Sequence, residues 1–275
     1  MNEKIRNFGV IVIALALEAA LFVIIVMKLG IGILVPSPRG SLDIPKIITL
    51  IACIVVLVFT LSQFLKKILK KPSIVKILIL LALLFLILSF TLNLFMSIYS
   101  YSEGYMHAYV NTFINTLLVL GFYCLNLFAF SVIYSGGNEK LPKILKITLD
   151  MMLLLAVCAY VIGEAIRVTI LSDESNIFSE TASILLILAI FFTIVNFIFA
   201  SVKLSKIVKK TEDEQTKQGL RRISTSFTVL VIGLFLLILA NTVEELDDFG
   251  TAIVLSVAAI AFYFIYSGFV KPSGN

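Results

Sequence analysis

The stretch ILILLALLFLILSF, residues 77–90, decides the fold class of this chain. It contains no charged residue, and its apolar residues do not alternate with polar ones as they do in the strands of a membrane barrel. Similar apolar runs recur along the chain, and those of about 18 residues or more are long enough to cross about 30 Å of hydrocarbon as a helix. We therefore predict an all-α, polytopic integral membrane helix bundle in which residues 1–275 form a single transmembrane domain.

The composition excludes an ordinary soluble domain. Hydrophobic residues make up 60% of the chain and charged residues only 14%, whereas soluble domains carry about 25% charged residues. A net charge of +5 could indicate nucleic-acid binding, but most of the basic residues lie beside the ends of apolar runs. We therefore expect the lipid bilayer, and no nucleic acid, as a partner.

Lysine and arginine determine the predicted orientation, because the cytoplasmic loops of membrane proteins are enriched in them. Most of the 22 basic residues fall in the N-terminal segment and in every second loop, so we expect eight spans, two cytoplasmic termini and a location in the cell membrane. The first span begins like a signal peptide, but its apolar run exceeds the usual length of about 7–15 residues, and we expect a retained helix. The predicted spans are about 8–29, 46–65, 74–99, 108–134, 147–171, 182–202, 224–243 and 250–270.

Enzyme chemistry has no support in the sequence. No HExxH, GxSxG, P-loop or glycine-rich nucleotide motif occurs. The three cysteines, Cys53, Cys124 and Cys158, fall inside apolar runs, where cysteine behaves as a small hydrophobic residue. One histidine, His107, and dispersed cysteines do not form a metal-ligand pattern. We predict that the protein is not an enzyme and has no catalytic residue, metal site or cofactor.

Three charged residues lie more than three residues from either end of a predicted span, where charge is costly and usually serves function. Asp150 instead lies one turn after Lys146 at the cytoplasmic boundary of the fifth span, where the two can pair. Glu18 lies near the middle of the first span, and it is either a proton or cation site or a protonated acid bonded to a neighbouring helix. Glu164 and Arg167 lie three residues apart on one face of the fifth span. These two residues either line an outward-facing pocket for a polar ligand or form a structural ion pair.

A stripe of asparagines marks the fourth span. Asn111, Asn115 and Asn126 fall within about 60° of arc on one helix. Amide side chains in a bilayer commonly form hydrogen bonds between helices, so the stripe predicts the inward face of this span. A hydrated cavity is the alternative interpretation. Together with Glu18, Glu164 and Arg167, these asparagines form the candidate intramembrane polar site.

The hydrophilic segment KLSKIVKKTEDEQTKQGLRR, residues 203–222, separates the sixth and seventh predicted spans. With the helix that follows, the stretch TEDEQTKQGLRRISTSFTVLVIGLFLLIL, residues 211–239, resembles the acidic-then-basic linker and next helix in seven-helix membrane sensor regions of some histidine kinases. The resemblance implies a sensory bundle in spans two to eight. No kinase domain accompanies it, so we expect a separate cytoplasmic partner. The candidate partner surface consists of Glu212, Asp213, Glu214, Arg221 and Arg222.

Three functions remain open from the sequence. The first is a receptor-like or sensory module that passes a helix movement to its partner. The second is a small-solute or proton-coupled transporter that uses Glu18, although glycine and proline are scarce inside the spans and broken helices are therefore not expected. The third is a non-catalytic accessory or scaffold subunit that binds other membrane proteins.

Overall fold

The computed structural model describes residues 3–29, 36–40, 42, 44–68, 73–101, 104–135, 143–170, 176–242, 257, 260–265, 267 and 268. These residues form seven long helices, one pair of short strands and a C-terminal helical segment within 257–268. In chain order the elements are α1 Glu3–Leu29, β1 Pro36–Pro38, α2 Ile44–Ile68, α3 Ile74–Ile98, β2 Tyr99–Tyr101, α4 Gly104–Ser135, α5 Lys143–Ile170, α6 Asn176–Lys210 and α7 Glu214–Thr242.

Among the described residues, six helices are long and apolar enough to cross a membrane. Their apolar stretches are Gly9–Lys28, Lys46–Leu65, Val75–Ile98, Ala108–Tyr134, Ile190–Lys210 and Glu214–Leu236. The chain is therefore a multi-pass membrane protein built from helices. The count of eight spans and the cytoplasmic termini stay predictions. Most of the predicted last span, 250–270, lies outside the described residues.

Helix α4 lies at the centre of the bundle, where it packs against α1, α3, α5 and α6. An 18-residue window within Ala108–Tyr134 is 78% buried, against 28% for a window of the same length within Lys46–Leu65 of the peripheral α2. A helix that is apolar on all sides is stable only when neighbours surround it or lipid covers it. The buried polar residues of α4, Thr112, Thr116 and Asn126, therefore face other helices.

The short strands join two connections at one end of the bundle. Strands β1 and β2 pair antiparallel, and the Arg39 backbone N–H donates to the carbonyl of Ile98 at 2.9 Å. The α1–α2 and α3–α4 connections consequently meet at the same end, as the alternation of basic loops predicts. The all-α prediction did not include this pair. Its strands are short and begin and end with proline or tyrosine, so they carry little sequence signal.

Most of the hydrophilic segment 203–222 is helical. Helix α6 continues to Lys210, α7 begins at Glu214, and only three residues connect them. Lysine, glutamine and glutamate are strong helix formers, so both helices extend beyond the limits that hydrophobicity predicts. We call this segment, with its three-residue connection, the α6–α7 hairpin.

A contact between two glycines holds the C-terminal helical segment against α7. A Cβ atom added to Gly219 would lie 2.8 Å from the carbonyl oxygen of Gly268, and one added to Gly268 would lie 2.8 Å from the oxygen of Gly219. Such small residues allow helix backbones to approach closely in membranes. The side chain of Arg222 also donates to the Ser267 carbonyl at 3.0 Å.

We predict that Gly219→Ala destabilises the protein by about 1–3 kcal/mol, because the new methyl group would overlap a backbone atom that cannot rotate away. Chemical unfolding in detergent measures the change. Gly9→Ala is the matched control, since a Cβ atom at Gly9 meets nothing within 4 Å. Equal stability of the two variants would contradict the close helix contact.

Candidate intramembrane polar site

Glu18 lies at the interface of α1 and α4. Only 1% of its surface is exposed, and the hydroxyl of Thr116 donates to its Oε1 at 2.5 Å. The hydroxyl of Tyr109 approaches the Glu18 backbone carbonyl at 3.5 Å, and the Tyr109 ring lies beside Phe22. The predicted bond between Glu18 and a neighbouring helix is thus present in the structure, with Thr116 as donor.

A second group of polar residues joins α4 to α5 and α6. The hydroxyl of Tyr123 donates to Oδ1 of Asp150 at 2.6 Å. The Nδ2 atom of Asn126 donates to the Thr193 hydroxyl at 3.2 Å and to the Phe122 carbonyl at 3.0 Å. We call Tyr123, Asn126, Asp150 and Thr193 the central polar cluster. All four side chains are buried.

Lys146 extends this cluster toward the start of α5. It lies four residues before Asp150, which places the two on the same face of the helix. Lys146 is only 4% exposed and Asp150 9%. Buried charges of opposite sign normally occur as partners, because an isolated one would be strongly desolvated. The start of α5 therefore places a lysine and an aspartate side chain in the protein interior.

A small cavity adjoins the central polar cluster. Its volume is about 30 Å³, enough for one or two water molecules. The lining residues are Val119, Phe122, Tyr123, Asn126, Leu149, Met152, Leu153, Ile190, Phe192 and Thr193. Among described atoms, Oδ1 of Asn126 is buried without a hydrogen-bond partner, as is Nδ2 of Asn196. An orphaned buried amide atom costs about 1–3 kcal/mol, so this part of the bundle is not optimised for stability alone.

Among the described side chains, Glu18 and Asn126 belong to two separate contacts. Thr116 and Asn126 are ten residues apart on α4, which separates the Glu18 contact from the central polar cluster by about 15 Å along the helix. Asn115 is half-buried and Asn111 is exposed, so the stripe does not face inward along its whole length. Glu164 and Arg167 lie on α5, which packs against α1. Their side chains fall outside the described part of the structure.

The sequence did not single out the partners of these residues as site residues. Thr116, Tyr123 and Thr193 are ordinary hydroxyl residues inside apolar runs, and Asp150 was explained as a charge at the membrane boundary. A hydroxyl group can donate its hydrogen bond to a backbone carbonyl of its own helix. Its presence in a span is therefore only weak evidence for a contact with another helix. The short spacing of Lys146 and Asp150 was the one available indication.

Two acidic residues of the α6–α7 hairpin, Asp213 and Glu214, stabilise the N-terminus of helix α7. Asp213 accepts hydrogen bonds from the hydroxyl and the backbone N–H of Thr216, the latter at 2.9 Å. The Thr216 hydroxyl and then its N–H hold the pKa of Asp213 below the ordinary value. Glu214 lies in the first helical turn and pairs with Lys217 at 3.3 Å. These acids are stabilised there by the helix dipole.

The candidate partner surface remains largely accessible in the structure. Glu212, Asp213, Glu214 and Arg221 are exposed, whereas Arg222 is half-buried against the C-terminal helical segment. A capping role accounts for Asp213 but leaves the Glu212 side chain directed to the surface. The partner role of this surface stays a prediction.

Four hydroxyl residues connect α6 and α7 close to the hairpin. The Ser201 hydroxyl lies 2.9 Å from that of Thr228, and the Ser205 hydroxyl lies 3.1 Å from that of Ser224. Ser201 and Ser224 are also in contact, at 3.3 Å between their hydroxyl oxygens. We call these four residues the hydroxyl ladder. It couples the two helices through uncharged bonds whose donors and acceptors can exchange.

We predict a measurable coupling energy between Glu18 and Thr116. A double-mutant cycle with Glu18→Met, Thr116→Val and the combined variant should give about 0.5–1.5 kcal/mol, the range found for hydrogen bonds between membrane helices. Unfolding in detergent supplies the four free energies. Thr91→Val is a suitable control, because the exposed Thr91 hydroxyl bonds only to Ile87 of its own helix. A coupling energy near zero would show that the bond between Thr116 and Glu18 does not stabilise the bundle.

We also predict that Tyr123→Phe destabilises the bundle by about 1–3 kcal/mol, since it removes a donor to a buried carboxyl group. Tyr134→Phe is the matched control on the same helix, because Tyr134 is half-buried and does not belong to the central polar cluster. Both variants are compared by unfolding in detergent. If both lose equal stability, the bond from Tyr123 to Asp150 contributes nothing specific.

No family model, curated protein or solved structure matches the chain.

Proposed function

We propose that this multi-pass membrane protein is a receptor-like sensory module that signals to a separate partner through the α6–α7 hairpin. The observation that carries the proposal is the continuity of α6. This helix runs unbroken for 35 residues, about 52 Å, and includes both a residue of the central polar cluster and one side of the hairpin.

Helix α6 supplies a physical connection from the interior to the hairpin. Thr193 bonds to Asn126 of the central α4, and Lys210, at the end of α6, lies 17 residues further on, about 25 Å along the helix. Between them, Ser201 and Ser205 bond to α7. A packed helix transmits a displacement as a unit, which is how small changes in one site reach a distant one. A change at Thr193 would consequently move the hairpin.

The hairpin has the character of a protein-binding surface. Its connection is acidic and exposed, and lysine and arginine residues lie on both arms. Charges of both signs arranged in this way favour a partner with complementary charges and select against others. The seven-helix sensor resemblance of residues 211–239 agrees with an output at this position.

The accessory-subunit hypothesis uses the same hairpin but requires no coupling to the membrane interior. The transporter hypothesis gains no specific support, because Glu18 is not among the residues that line the cavity. The deciding measurement is therefore whether the membrane interior influences what the hairpin binds.

The test places a photoreactive amino acid at Gln215, an exposed position at the start of α7, and irradiates native membranes. We expect an adduct with one discrete protein. Thr193→Val should change the adduct yield by about fivefold or more, because it alters the contact between α4 and α6, and couplings of this kind are about fivefold or larger.

Thr225→Val is the control for this substitution. Thr225 is exposed on α7, and its hydroxyl bonds only to Arg221 of the same helix, so the yield should not change. A photoreactive residue at the exposed Ile198 reports labelling at another surface of α6. The absence of a protein adduct at Gln215 would overturn the proposal. A protein adduct with unchanged yield in Thr193→Val would favour the accessory role.

A further inference from the structure

The Oδ1 atom of Asn126 is a buried hydrogen-bond acceptor without a donor among the described atoms. The side chain is 1% exposed and its Nδ2 atom already donates to Phe122 and Thr193, whereas Oδ1 has no hydrogen-bond partner among described atoms. The same side chain lines the cavity between α4, α5 and α6. An O–H or N–H group that enters this cavity could serve as the donor for Oδ1.

The rest of the lining favours an apolar ligand. Apart from Tyr123, Asn126 and Thr193, every lining residue is hydrophobic, and no lining residue carries a charge. The Tyr123 hydroxyl is engaged as a donor to Asp150, and the Thr193 hydroxyl accepts from Asn126. A bound water normally needs two to four polar partners, but a single alcohol group needs only one acceptor. The site therefore suits a neutral molecule with one hydroxyl.

The cavity is half-open rather than enclosed. Phe122, Met152 and Phe192 of the lining are half-buried, and the adjacent Met151 and Phe191 are exposed on the outer faces of α5 and α6. These exposed apolar side chains are covered by lipid in a membrane-spanning helix. A volume of about 30 Å³ holds a hydroxyl group with its first carbon, and a longer apolar body would continue along the lipid-facing surface.

We propose that this cavity binds the hydroxyl end of a neutral membrane amphiphile, whose O–H donates to Oδ1 of Asn126. The apolar body of the molecule lies against the outer surfaces of α5 and α6. The inference deepens the proposed function by naming the class of ligand that would be sensed, and it rests on that function only for the effect on the hairpin. Binding itself is measured separately.

The experiment uses the full chain in phosphatidylcholine nanodiscs. The probe is a long-chain primary alcohol with a diazirine next to its hydroxyl end, and the matched probe is its methyl ether, which cannot donate a hydrogen bond. We expect saturable labelling of Phe122, Met152 or Phe192 by the alcohol. The ether should label these residues with roughly tenfold lower apparent affinity, as expected for the loss of one buried hydrogen bond.

Two substitutions sharpen the test. Asn126→Leu should remove the difference between the alcohol and the ether, because it removes the acceptor. Asn115→Leu is the control, since Asn115 lies on the same helix but does not line the cavity. The comparison of the two probes uses the unaltered protein and does not depend on whether Asn126→Leu folds.

Equal, non-saturable labelling by both probes would overturn the proposal. Occupation of the cavity by water alone would also overturn it. In that case the radiolytic oxidation of Met152 would not decrease when the alcohol is added. Saturable binding of the alcohol without any change in the Gln215 adduct would retain the site and reject the sensory function. A change at Gln215 caused by Thr193→Val, without alcohol binding, would retain the sensory function and reject this ligand.

Discussion

The hydrogen bonds that α4 makes to its neighbours are the constraint on which the bundle depends. Apolar contacts alone choose helix partners poorly in a bilayer, because lipid tails are as apolar as leucine. Helix α4 has a polar contact with each surrounding helix: Thr116 with Glu18 on α1, Tyr123 with Asp150 on α5, Asn126 with Thr193 on α6, and the Ile114 carbonyl with Ser89 on α3 at 3.4 Å. These contacts fix the rotation of α4 against all four neighbours.

The sequence predicts well which segments form membrane helices, but it predicts poorly which helix faces contact each other. Long apolar runs predict membrane helices, and the structure gives both Glu18 and Asn126 a hydrogen bond to a neighbouring helix. Periodicity shows which residues share a face of one helix, but not which faces of two helices meet. For that reason Asn111 and Asn126 look equivalent in the sequence, whereas one is exposed and the other buried.

The ends of the helices were also beyond prediction from hydrophobicity. A helix can continue from lipid into water when its residues are good helix formers. For this reason α6 and α7 continue into the charged segment 203–222. The acidic residues there include the cap of α7 at Asp213. The contact between Gly219 and Gly268 could not be predicted from the sequence either. A glycine is recognised as a packing residue only when the opposing backbone is known.

The hydroxyl ladder joins the two arms of the hairpin through uncharged hydrogen bonds. Ser201 and Ser205 are one helical turn apart on α6, and Ser224 and Thr228 are one turn apart on α7. A hydroxyl both donates and accepts, so a shift of α6 by one turn would bring Ser201 to the position of Ser205 and preserve a bond to Ser224. Charged pairs at this interface would instead favour a single register. On the other side of α7, Gly219 and Arg222 tie the helix to the C-terminal helical segment. In the hairpin, α6 is the arm joined to α7 by the hydroxyl ladder, and its Thr193 also belongs to the central polar cluster.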